Sequence, residues 1–206
     1  MNDSFLNLPT EKREEILNAA MRVFSMYEYK KASTDDIAAY ANISKGMLFY
    51  YFNNKAELYE DVYDFAHKII EFNMIDEKLL TITDFYDLIT YATHKKMQVL
   101  KKYPYLMNFS IRSYYTDKED ISDTIRHKST SNIKTSYHIF FKNIDMHKFK
   151  EGIDPYEVYK MMVWMVDGYL HEKMMNNELI NPDESEMMYL KMVKIMKPAT
   201  YKEEYL

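Results

Sequence analysis

The sequence contains no cysteine, which excludes disulfides, thiolate zinc sites and cysteine nucleophiles. It has only 3 glycines and 5 prolines in 206 residues, too few for the many turns of an all-β fold. No apolar run exceeds six residues, Met161 to Val166 being one, against roughly 20 needed to span a bilayer. The opening MNDSFLNLPTEKREE carries acids where a secretory signal carries basic residues and then an apolar stretch. These absences predict a cytoplasmic chain with no membrane partner.

An excess of positive charge is missing as well. The formal net charge is −5, and residues 1–58 hold seven basic and eight acidic side chains. Whole-domain charge is a coarse guide, because binding to a polyanion depends on where the cations sit. Catalytic patterns are also missing. His171-Glu172 is not followed by a second histidine at metal-ligand spacing, and the six histidines are scattered. Gly46, Gly152 and Gly168 form no phosphate-binding loop. The expectation is therefore no enzyme activity, no metal and no cofactor.

What is present reads as helix. Ile16, Ala19, Ala20, Val23 and Phe24 form one apolar stripe between Glu11 and Tyr27. A short helix follows, with Ser33 or Thr34 as its cap and Ile37, Ala38 and Ala41 facing inward. Asn42 suits the left-handed conformation that ends a helix, and Ser44 can cap the next one, from Lys45 to about Phe52. A long helix begins near Lys55 and reaches roughly to Glu77. Others are predicted at about 83–103, 105–115 and 119–143. Asp154-Pro155 and Asn181-Pro182 each place a capping residue before a first-turn proline, bounding helices at about 155–178 and 182–197.

The segment from Ser33 to Lys55, STDDIAAYANISKGMLFYYFNNK, has the two short helices and tight turn of a helix-turn-helix. A helical hairpin in an ordinary core has the same spacing. The particular residues go further. Thr34, Ile37-Ala38, Ala41, Ile43-Ser44-Lys45-Gly46, Leu48, Tyr50-Tyr51-Phe52, Asn54-Lys55 and Leu58 resemble the DNA-binding domain of the TetR family of bacterial regulators. The resemblance covers roughly residues 10–60. It implies an all-α protein of about nine helices, with a three-helix DNA-binding domain at 1–55. A larger helical domain at 56–206 would bind a ligand and dimerise.

The resemblance also implies roles. Ser33 and Thr34 at one helix start, and Ser44 and Lys45 at the next, would meet phosphate or a base edge. Gly46 would allow close approach to double-stranded DNA. Met47 could read a base only by apolar contact, most naturally a thymine methyl. Tyr50 and Tyr51 would pack on or bond to the sugar-phosphate backbone, and Lys55 would bind a phosphate. Phe49 stands where the family usually has a phosphate-binding tyrosine, and Asn42 replaces a common turn glycine.

A homodimer would form through Tyr159, Met162, Val163, Val166 and Tyr169 with Tyr189, Met192, Val193 and Met196, Gly168 allowing close helix approach. These stripes could instead pack within one subunit. The chain has 20 Tyr, 11 Phe and 17 Met, residues able to line an adaptable apolar pocket for a small-molecule effector. The candidates are Phe65, Met107, Phe109, Ile111, Tyr137, Phe141 and Trp164. Arg112 would favour an acidic ligand and Asp167 a cationic one. The implied activity is a repressor released from a palindromic operator by such a ligand, or a DNA-binding protein controlled by a protein partner or by no effector.

Overall fold

In the computed structural model the described residues are 1–115, 123–125, 137–176, 178 and 180–206. The regular elements among them are helices: α1 (Asp3–Leu6), α2 (Thr10–Met26), α3 (Thr34–Tyr40), α4 (Lys45–Tyr51) and α5 (Lys55–Met74) come first. They are followed by α6 (Glu77–Thr81), α7 (Phe85–Lys102), α8 (Leu106–Tyr115), α9 (Pro155–Met175) and α10 (Pro182–Thr200). The all-α expectation holds. Most of the helix expected at 119–143 lies outside the described residues; within it, 123–125 and 137–140 are helical.

The boundaries follow local chemistry. The Ser33 and Ser44 hydroxyls cap α3 and α4, accepting from the Asp36 and Met47 amides at 3.2 and 3.1 Å. Asp154 and Asn181 cap α9 and α10 ahead of their prolines, accepting from the Tyr156 and Asp183 amides. The helix expected from Lys55 to Glu77 is interrupted, because Asp76 takes an extended conformation and starts α6 by accepting from the Leu79 amide at 2.8 Å.

The chain divides into two compact units. One contains residues 1–70 and the described part of 103–130, the other residues 71–102 and the described part of 131–206. In the first, α2 packs against α3 and α8. Phe24 is wholly buried, its ring centroid 4.8 Å from that of Tyr59 on α5 and 6.5 Å from that of Phe109 on α8.

In the second unit α10 lies along α7. Phe85, Tyr86, Tyr137, Phe141, Val158, Met162, Val166 and Met192 form one continuous core with Phe149 and Tyr201. The Tyr201 hydroxyl accepts from the Phe85 amide, and Tyr86 bonds to Thr200, so the end of α10 and the residue after it are tied to the start of α7.

Asp76 also receives Lys95 at 2.5 Å and the Tyr91 hydroxyl at 2.8 Å. Chiefly the Lys95 bond, then the Leu79 amide and Tyr91, pull its carboxyl from an ordinary 3.8 to about 2. A depressed folded-state value means the stabilisation is complete above 3.8 and lost as pH falls from there to about 2. Asp76→Asn is therefore expected to flatten the decline in melting temperature across that acid window. An unchanged profile from calorimetry in acid would contradict the role given to this carboxylate.

Candidate nucleic-acid interface

The turn between α3 and α4 is fixed from beneath by α2. Asn42 takes a left-handed φ of 51°, a conformation asparagine tolerates better than most residues. Its side chain donates to Glu15 at 3.1 Å. Lys12 bonds to Glu15 at 2.8 Å and to the Ala41 carbonyl at 2.9 Å, satisfying an acceptor at the end of α3. The bond from Lys12, then that from Asn42, lowers the Glu15 carboxyl below its ordinary range, which keeps the brace charged. The Ile43 amide donates to the Ala38 carbonyl at 3.0 Å and closes the turn.

With the turn held, Ile37, Leu48, Tyr51 and Phe52 face inward, and the rest of α4 faces out. Ser44, Lys45, Gly46, Met47, Phe49 and Tyr50 are all exposed. Met47, Phe49 and Tyr50 keep 39%, 38% and 57% of their surface, a large apolar display for one short helix. A Cβ built on Gly46 would meet only the Ser44 hydroxyl oxygen, at 3.8 Å. No neighbour inside the protein demands glycine there, so the room it leaves is on the outward side. Ser33 and Thr34 are half-buried at the start of α3.

Two of the ten expected contact residues are placed differently. Tyr51 is only 7% exposed, its ring 5.7 Å from that of Phe5. It follows Met47 by one helical turn, and Phe5 of α1 covers it there. The Lys55 ammonium donates to the Tyr29, Lys30 and Ala32 carbonyls at 2.7, 3.3 and 3.3 Å and sits over the Tyr29 ring. Lys55 thus holds the connection into α3. Lys45 forms an exposed ion pair with Asp35 at 2.8 Å, so the outward cation of α4 has an acid beside it.

Sequence reasoning missed α1. This four-residue helix docks on the end of α4, and its only sequence signal is Asn2 before Ser4-Phe5.

The expected ligand-lining residues divide between the units. Phe65, Met107, Phe109, Ile111 and Arg112 fall in the first, and Tyr137, Phe141, Trp164 and Asp167 in the second. Arg112 Nε donates to the Ser25 carbonyl at the end of α2, at 3.2 Å. Tyr137 and Phe141 are buried and stacked at 4.9 Å. Trp164 instead is 61% exposed.

The expected dimer stripe is likewise turned inward. Met162, Val166 and Met192 are buried in the core of their own unit, with Tyr159, Tyr189, Val193 and Met196 packed against it. Val163 and Tyr169 are half-buried. The exposed large apolar residues are Met161, Trp164, Met165 and Met175 on α9 and Met187, Leu190 and Ile195 on α10. Met161, Trp164, Met165 and Met196 line an open depression of about 360 Å³. Gly168 continues the α9 stripe, with nothing within 4 Å of an added Cβ.

Among the described residues no group of three or more His, Asp or Glu is placed to hold a metal ion. No helix among them is long and apolar enough to cross a membrane.

A capped helix pair with a locked turn and an outward second helix defines the helix-turn-helix class. The chain matches the bacterial regulatory proteins of the TetR family over residues 16–62. It is similar to the HTH-type regulator YhgD of Bacillus subtilis, 34% identical over 53 residues. It is also similar to the HTH-type regulator TtgR of Pseudomonas putida, 36% identical over 58 residues. These matches cover 26% and 28% of this chain and only 28% of each relative's length. The fold resemblance runs further. The regulator FadR of Bacillus subtilis, solved with stearoyl-CoA, superposes with a TM-score of 0.64 at 17% identity, over 87% of this chain and 96% of that one.

Proposed function

We propose that the chain is a homodimeric transcriptional repressor that grips a palindromic operator in double-stranded DNA through the outward face of α4. Residues 1–55 would read the DNA, and 56–206 would dimerise and bind an effector in the cytoplasm. The observation that carries the reading is the display of Ser44, Lys45, Gly46, Met47 and Tyr50 on a helix whose entry turn is pinned by Lys12, Glu15 and Asn42. One such helix reads few base pairs, and a two-fold axis doubles the site. The apolar stripe of Met161, Trp164 and Met165 with Met187, Leu190 and Ile195 suits a second copy, because its counterpart is the same stripe.

The effector would be a small, largely apolar or aromatic molecule that favours the conformation unable to bind DNA. The stearoyl-CoA in the FadR structure supports this, as a long apolar ligand held by the same fold. A second reading, control by a protein partner or by no effector, is favoured by one observation. Phe109 and Arg112, both expected to face a ligand, serve the first unit's own packing against α2.

Selecting bound duplexes from a random pool tests the reading. The expected product is a palindrome whose half-sites are about one helical turn apart, or a multiple of it. Affinity for it should fall with salt at a log-log slope of about −0.9 per neutralised phosphate. No enrichment, or a flat salt response, would overturn it. Titrating the complex with apolar compounds separates the two readings, since release is expected only under the first.

A further inference from the structure

A helix ends with backbone carbonyls that have no partner inside it. At the last turn of α4 those partners come from α1. The Asn2 amide donates to the Tyr51 carbonyl at 3.3 Å, and the Asn2 side-chain amide donates to the Tyr50 carbonyl. Asn2 also caps α1, accepting from the Phe5 amide at 3.0 Å. Phe5 anchors the contact, buried with its ring 4.8 Å from that of Phe52 and 5.7 Å from that of Tyr51. Between these two residues lies Ser4, whose hydroxyl oxygen is 2.9 Å from that of Tyr50.

Tyr50 is the one exposed phenol of α4. Its neighbour Phe49 has no hydroxyl, and Tyr51 is buried. We propose that Ser4 is a positioning residue for DNA binding: it donates to the Tyr50 oxygen and so directs the Tyr50 O–H outward to a backbone phosphate. The inference rests on the DNA-binding reading above and extends it to a residue outside the helix-turn-helix.

The direction of donation follows from the ligand. Between a serine and a tyrosine either hydroxyl can donate, but an ionised phosphate oxygen only accepts. With phosphate bound, Tyr50 must donate to it, and Ser4 must supply the hydrogen that Tyr50 accepts. Each bond in such a chain polarises the next and strengthens it. A ring already held by Ser4 and the anchored α1 also loses less freedom on binding than a free one.

The test is a double-mutant cycle, read by fluorescence anisotropy on a duplex recovered from the random pool, with thermal melting alongside. Ser4→Ala and Tyr50→Phe are each expected to weaken binding about three- to tenfold. The double variant should bind no more weakly than Tyr50→Phe alone, because Ser4 acts through the missing hydroxyl. Ser4→Thr should restore affinity, and melting temperatures should stay together. A serine that merely supports the fold would lower the melting temperature and multiply its penalty with that of Tyr50→Phe. That result, or Ser4→Ala binding as wild type does, overturns the inference and leaves the DNA reading standing. A wild-type chain that retains no duplex overturns both.

Discussion

Trp164→Glu is expected to convert the protein to monomers and to weaken operator binding by about a hundredfold or more. Trp164 is 61% exposed in the single chain and sits with Met161 and Met165 on one face of α9. Most of its surface is open, with the Lys160 ammonium 5.5 Å from its ring, so glutamate is expected to leave the monomer fold intact. In a two-fold interface the same change places two carboxylates in an apolar patch, where an unpaired charge is costly. Linked half-sites exceed the affinity of one by about 10²–10⁴ through effective concentration alone, and a monomer forfeits that gain. Sedimentation reports the mass, anisotropy the affinity, and circular dichroism the retained helix. A Trp164→Glu protein that sediments as a dimer and binds normally would show that this face is not the interface. Gly168→Ala gives a finer probe. A Cβ there meets nothing in the single chain, so any loss of dimer reads the approach of a partner helix.

How far the sequence could be read depended on whether each helix buries one side or two. On α3 and α4 the serine caps, the left-handed Asn42 and the inward Ile37, Leu48 and Phe52 all point the same way, and the structure has each as expected. The helix starts at Pro155 and Pro182 were equally legible, since a proline preceded by Asp or Asn leaves little choice. Which face of α9 is left exposed was not legible. Residues 161–166 are apolar without interruption, so periodicity cannot tell the face that meets the core from the face left exposed. The core face holds Met162 and Val166, and the exposed face holds Met161, Trp164 and Met165. Lys55 and Arg112 escaped for another reason. A long cation can turn back to a backbone carbonyl, and no pattern of residue types records which way it turns. The contact of α1 with α4 is likewise tertiary, since four residues cannot sustain an isolated helix.

Phe24→Ala is expected to remove about 3–5 kcal/mol of stability. Phe24 is 0% exposed, and its ring meets Tyr59, Tyr29 and Phe109 at centroid separations of 4.8, 6.4 and 6.5 Å. Those partners cannot close the space. Tyr59 and Phe109 also pack on each other at 5.4 Å, and Tyr29 is held beneath the Lys55 ammonium. An unfilled cavity then adds to the lost transfer energy, which places the change at the costly end for aromatic truncation. Against a total stability of roughly 5–15 kcal/mol, much of the folded population is at risk. The loss reaches the interface because α2 carries both Phe24 and the Lys12–Glu15 brace beneath the turn. Phe49→Ala is the matched control, since an exposed phenylalanine should change stability by only about 0.5 kcal/mol. Urea unfolding of the two variants decides the point. A Phe24→Ala loss below about 1 kcal/mol would mean that the aromatic cluster is not what ties α2 to α5 and α8.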